Sequence, residues 1–323
     1  MLRSSRSSFR HAIPAPAAPL LMLPILVTLF SVVLPAFFVM AVGALIGYTL
    51  QLEIAPLNRL ALYTTTPALV FSSLSSTTLD ASNVGRLLGA FFLMLTVMLL
   101  VSGVATRQLS PSSRRGVIAS SLFANSANLM LPVTLFALGE AGVERALILY
   151  VVTTVLLYLV CPVVFSEGAP SGKLLRSVAT LPVVWAALSA ALVNVAGWSL
   201  PLGVTRGVGL LAGAAIPLVL LVLGMQIQRA GLALPNGVNW LATGLKLVVG
   251  PTVAFAAGTV VGLTGIDLAV VTLFGSMPPA VMVFMLALEF SDNADEVART
   301  VVLSTLGALV SVSVVVTLLR PLL

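Results

Sequence analysis

Ten runs of roughly twenty apolar residues follow one another along this chain, joined by short polar stretches. A run of that length crosses the hydrocarbon of a bilayer as a helix, whereas a tilted strand needs only about ten residues and alternating polarity. The runs cover roughly residues 24–48, 57–75, 86–106, 116–138, 145–165, 174–197, 204–228, 238–263, 267–290 and 297–319. Of the 323 residues, 59% are hydrophobic and only 8% charged, too little polar surface to cover a water-soluble globule. The expected fold is therefore an all-α membrane protein of ten transmembrane helices with no soluble domain.

The fourth run carries an anomaly. In SLFANSANLMLPVTLFALGEAG, from Ser121 to Gly142, the polar residues Asn125, Ser126 and Asn128 and then Pro132 fall in the middle of a span. An amide in hydrocarbon is costly unless it finds a partner. Pro132 has no backbone N–H, so the carbonyl four residues earlier, on Asn128, needs another partner. Two arrangements satisfy these demands. One is a discontinuous helix lining a polar cavity, because irregular backbone at membrane depth survives there or buried in protein. The other is a Pro-kinked helix whose amides bond to neighbouring helices.

The two halves repeat. Pro67, in TTTPALVFSSL of the second run, matches Pro217, in AAIPLVLLVLG of the seventh, at an offset of 150 residues. Pro132 matches Pro278 of the ninth run at 146, and Glu144 matches Glu296 at 152. Five spans per half is an odd number, so the second half must enter the membrane upside down. Inverted repeats with paired, Pro-interrupted helices are the sequence pointer to a secondary transporter. The expected units are residues 22–168 and 169–323, two inverted five-helix repeats with broken helices 4 and 9.

Charge sets orientation. With the N-terminus outside, the inner loops hold eight Arg and Lys residues against four outside, so both termini are expected outside, in a plasma (inner) membrane. Arg3, Arg6 and Arg10 of the first 21 residues argue the other way. That Ser/Arg/Pro-rich stretch reads as a disordered basic tail, a transit peptide, or the product of a start that belongs at Met22. The net charge of +6 comes from few groups, which gives no footing for nucleic acid. Cys161 is the single cysteine, so no intrachain disulfide forms, and the single histidine, His11, lies in the tail. An HExxH metalloprotease is therefore excluded, a serine enzyme would have only Lys246 as an intramembrane base, and no cofactor is called for. Lys246, about two turns into the eighth run, is expected to reach the inner interface along its long stem. Glu289 is expected near the membrane edge. GxxxG spacings at Gly43/Gly47, Gly209/Gly213 and Gly258/Gly262 permit close helix packing.

The residues from about Pro24 to the end resemble the auxin efflux carrier family, which includes plant auxin carriers and bacterial malonate- and malate-type permeases. The likeness rests on RLALYTTTPALVF at Arg59–Phe71, IPLVLLVLGMQI at Ile216–Ile227, Asn125 seven residues before Pro132, Gly139-Glu140, and Met277-Pro278 with Ala280, Ala287 and Phe290. It implies that broken helices 4 and 9 cross at mid-membrane with substrate at the crossing. Met130 stands where family members often carry Gly, and Met282 where many bacterial members carry Asn. Both changes make the site more apolar.

At such a crossing Pro132 and Pro278 or Pro279 suit the start of the second half of each broken helix. Half-helix N-termini favour an anion. Asn125 and Asn128 are amide donors for a carboxylate, Ser126 and Ser276 are hydroxyl donors, and Met130, Met277 and Met282 line an adaptable wall. Thr64, Thr65 and Thr66 beside Pro67 either face the cavity or bond back to their own helix. The expected function is a carrier of a small organic anion, with the bilayer as surroundings and a homodimer left open. A sodium-coupled symporter of the bile-acid-carrier type and a non-transporting ligand sensor are the alternatives.

Overall fold

The computed structural model describes residues 18–78, 81–165, 176–230, 234–291 and 293–322, so the tail with its arginines and His11 lies outside the described residues. Among the described residues every regular element is a helix. They are α1 (Met22–Leu50), α2 (54–75), α3 (Ala81–Ala105), α4 (Pro111–Leu122), α5 (Ser126–Phe165), α6 (Pro182–Val195), α7 (Leu202–Ala230), α8 (Gly237–Val261), α9 (Gly265–Ser276), α10 (Val281–Phe290) and α11 (Ala294–Leu319). Six are long and apolar enough to cross a membrane: α1, α3, α5, α7, α8, and α11 with its terminal turn. The apolar helices α6, α9 and α10 are shorter.

Element α5 holds the end of the fourth run and all of the fifth. It bends at Gly139, whose φ of 65° and ψ of −165° belong to a region that only glycine occupies without strain. No atom lies within 4 Å of where a Cβ would be, so the demand for glycine there is conformational.

Proline shapes four helices in the same way. A π turn precedes Pro35 (Leu29–Val33), Pro67 (Ala61–Thr65), Pro132 (Ser126–Met130) and Pro251 (Leu245–Val249). In a regular helix the proline ring would strike the carbonyl four residues back. Widening the turn by one residue relieves that clash: Leu34, Thr66 and Gly250 each donate to the carbonyl five residues back. The freed carbonyl still needs a donor in a dry environment. For Pro251 that carbonyl is Leu247's, and the Ser311 hydroxyl on α11 donates to it at 2.6 Å. Pro217 sits inside α7 without a π turn.

Helices α1, α2, α6 and α7 pack together, α1 on α7 and α2 on both α6 and α7. The remaining helices form a second group, with α3 on α8, α8 on α9, α9 on α5 and α10 on α11. Where α1 crosses α7 the backbones touch. A Cβ on Gly224 would lie 1.9 Å from the Met40 carbonyl oxygen, and one on Gly43 2.2 Å from that of Leu221. Gly47 meets Met225 in the same seam, and Gly258 meets Leu268. The Gly209/Gly213 spacing makes no such contact: a Cβ on either residue would meet no neighbouring helix within 4 Å. Both glycines are exposed on α7.

Candidate functional site

Two interruptions of the helices lie side by side. The chain leaves α4 at Leu122, runs extended through Phe123 and Ala124, and starts α5 at Ser126. It leaves α9 at Ser276 and starts α10 at Val281, with Met277 and Ala280 extended. Antiparallel pairing joins the two: Asn125 N–H donates to the Pro278 carbonyl at 2.7 Å, and Ala280 N–H to the Phe123 carbonyl at 2.9 Å. An isolated bridge sets Ala124 opposite Pro279. Each break thus satisfies backbone groups that the other leaves open, the condition for irregular chain inside an apolar protein.

Asn125 caps α5. Its Oδ1 accepts from Asn128 N–H at 3.2 Å, and its backbone carbonyl accepts from Met130 N–H at 3.1 Å. The residue is 3% exposed, and its Nδ2 is a buried donor with no partner among the described residues. An unmatched buried amide costs about 1–3 kcal/mol, so it marks a place where a ligand acceptor is useful.

Beside the breaks lies a cavity of about 590 Å³ between the two helix groups. The extended chain at Ala124 and Asn125 and the first turn of α5, residues 126–128, line it together with Ala280, Val281 and Met282 at the start of α10. The opposite wall is the beginning of α2 and the end of α7, with Asn58, Arg59, Gln226 and Arg229. Tyr150, Thr153 and Tyr158 of α5 and residues of α11 complete it, and Tyr158 donates to Met282 Sδ at 3.8 Å. Among the described residues no Asp or Glu lines the cavity. Two helix N-termini, each carrying roughly half a positive charge, and two arginines, of which Arg229 also donates to the Leu52 carbonyl, therefore line one space, which favours an anion.

The site residues expected from sequence divide into two sets. Asn125, Ser126, Asn128 and Met282 line the cavity. Pro132, Ser276, Met277, Pro278 and Pro279 do not, and neither do Met130 or Thr64–Thr66; Pro67 and Pro217, expected as helix breaks, also lie outside the lining. Ser276 spends its hydroxyl on the Leu273 carbonyl at 2.7 Å, and Met130 and Met277 are fully buried in the packing. Pro278 and Pro279 form the bridge itself. Pro132 follows the π turn that already begins α5, so the helix starts at Ser126, ahead of the expected proline start. Arg59 and Arg229 were legible only as loop charges, with no local signal tying them to a cavity.

Lys246 overturns the expectation that it reaches the interface. It is 2% exposed, its Nζ donates to the Ser121 carbonyl at 3.2 Å, and it stands 5.8 Å from the centre of the Phe274 ring. Packing against α4 and α9 holds the side chain inward.

Comparison with known proteins finds membrane transporters. Residues 169–316 match the model of a family described as membrane transport protein. An uncharacterised transporter of Methanothermobacter thermautotrophicus is 28% identical over 83% of this chain and 92% of its own length. Another, of Methanocaldococcus jannaschii, is 23% identical over 80% of this chain and 87% of its own. A probable auxin efflux carrier component of Oryza sativa subsp. japonica is 28% identical over 42% of this chain and 25% of its own length.

Proposed function

We propose that this chain, a membrane transporter of the membrane transport protein family and not an enzyme, carries a small organic anion by alternating access at its paired chain breaks. One observation carries the reading: two helix N-termini and two arginines converge on a cavity that no described acid lines, and Asn125, with its buried, unpartnered amide, stands in its wall. The preferred ligand is a carboxylate. Asn125 Nδ2 donates to one of its oxygens, the first turns of α5 and α10 stabilise the charge, and Arg59 and Arg229 draw the anion in from solution. Met282, Tyr158 and Leu157 offer an apolar wall to the rest of the molecule. A volume of about 590 Å³ suits a small organic ligand.

In this reading α4 with the start of α5, and α9 with α10, are the broken fourth and ninth of ten transmembrane helices. Residues 22–168 and 169–323 are inverted repeats. The packing of α1 on α7 and of α6 on α2 supports it, since an inverted repeat exchanges those two pairs. The group containing the breaks moves against the α1/α2/α6/α7 group, and the cavity between them opens on the Arg59 and Arg229 side. The positive-inside rule makes that side cytoplasmic, with both termini outside a plasma membrane. An inside-negative potential then drives a monoanion outward with about 2.3 kcal/mol per 100 mV, so no coupling ion is required.

The test is flux of labelled mono- and dicarboxylates through the purified protein in liposomes, with and without sodium, a proton gradient and an imposed potential. The expected result is saturable carboxylate movement that follows the potential and is indifferent to sodium. Binding without flux would make the protein a sensor, and obligatory sodium would make it a symporter.

A further inference from the structure

The same two breaks that turn helix N-termini toward the cavity turn helix C-termini away from it. Ser121 is the last residue but one of α4, and Phe274 lies in the last turn of α9. Both meet Lys246, through the Ser121 carbonyl at 3.2 Å and the Phe274 ring at 5.8 Å. One turn further along α8, a Cβ on Gly250 would lie 2.4 Å from the Gly275 carbonyl oxygen, so α8 is pressed against that end of α9. Helix C-termini concentrate partial negative charge on carbonyls without intrahelical donors. Among the described residues no carboxylate pairs with the Lys246 ammonium, so the Ser121 carbonyl at the end of α4 and the Phe274 ring face at the end of α9 are its counter-charge. Carbonyl ends of broken helices are where transporters of this general build hold a coupling cation.

We propose that Lys246 is a tethered cation that fills a monovalent-cation site formed by the C-terminal ends of α4 and α9. The chain then needs no sodium or potassium to hold its breaks, because the positive charge is supplied by α8. The proposal adds a positioning residue to the transport reading, but its test needs no substrate, so the two fail separately.

The experiment is thermal unfolding of the purified full chain in choline, sodium or ethylammonium chloride at equal ionic strength. The wild type is expected to melt at the same temperature in all three. Lys246→Ala, which leaves a space the size of the lost side chain, is expected to melt lower in choline and to recover by roughly 3 °C or more in ethylammonium, whose size and charge match the missing group. If Lys246→Ala does not fold in choline, recovery of folded protein by purification in ethylammonium is the same result. Lys246→Met fills the space without charge and is expected to be destabilised in every salt with no recovery. A wild type stabilised by sodium would overturn the proposal, since an unfilled cation site would then exist. A Lys246→Met variant as stable as the wild type would overturn it equally, because the charge would contribute nothing.

Discussion

Ala280→Pro is expected to lower the melting temperature sharply and to abolish ligand binding, although the local backbone already suits proline. Ala280 has φ −64° and ψ 137°, within the range that the pyrrolidine ring imposes. The substitution therefore strains no dihedral angle. What it removes is the N–H that reaches the Phe123 carbonyl at 2.9 Å, and it places a ring carbon where the hydrogen was. Phe123 is 2% exposed, so its carbonyl is left unmatched at a cost of about 1–3 kcal/mol, before any cost of pushing the strands apart. At about 1.5 °C per kcal/mol for a chain of 323 residues, the unmatched carbonyl alone lowers the melting temperature by about 2–5 °C, and separation of the strands adds to that. The starts of α5 and α10 would separate with it, and the cavity wall they form would open. A thermal melt monitored by circular dichroism reads the effect. An unchanged melting temperature would mean that the pairing of the breaks does not hold this part of the fold.

Asn125→Asp separates the structural role of Asn125 from its ligand role. The Oδ1 that accepts from Asn128 N–H survives in a carboxylate, and Asp caps a helix as well as Asn does. The change is confined to Nδ2, the buried donor without a partner. Losing a hydrogen bond to a charged ligand costs about 1.5–3 kcal/mol, roughly ten- to a hundredfold in affinity, and like-charge repulsion adds to it. The variant is expected to fold with a near-normal melting temperature and to bind a transported carboxylate more than about a hundredfold more weakly. Affinity within about threefold of the wild type would place the carboxylate elsewhere.

Much of this architecture was legible because bilayer physics leaves few choices. Apolar runs of helix length had to become helices, and the Asn125, Asn128 and Pro132 cluster had to mark a departure from regular geometry. The location of that departure was not legible. Pro132 invites a break at itself, yet the chain opens seven to nine residues earlier, at Phe123–Asn125, because pairing with Pro278 and Ala280 fixes it there. Such a contact spans more than 150 positions of sequence and leaves no local pattern. The prolines instead call for π turns, whose cost is met case by case, as the Ser311 hydroxyl does for Leu247. Lys246 misled for a related reason. A long stem near a span end reads as reaching for water, and only the packing of α4 and α9 around it turns the ammonium inward. Arg59 and Arg229 sit 170 positions apart and become one feature only when α2 and α7 pack together.

The central claim is that the cavity at the paired breaks holds the anion. An experimentally determined structure of the wild-type protein with the carboxylate that the flux measurements identify tests it most directly. The account predicts a carboxylate oxygen about 2.7–3.2 Å from Asn125 Nδ2, with the first turns of α5 and α10 facing it and the rest of the ligand against Met282 and Tyr158. A carboxylate bound outside this cavity, with the Asn125 amide still unpaired, would contradict it.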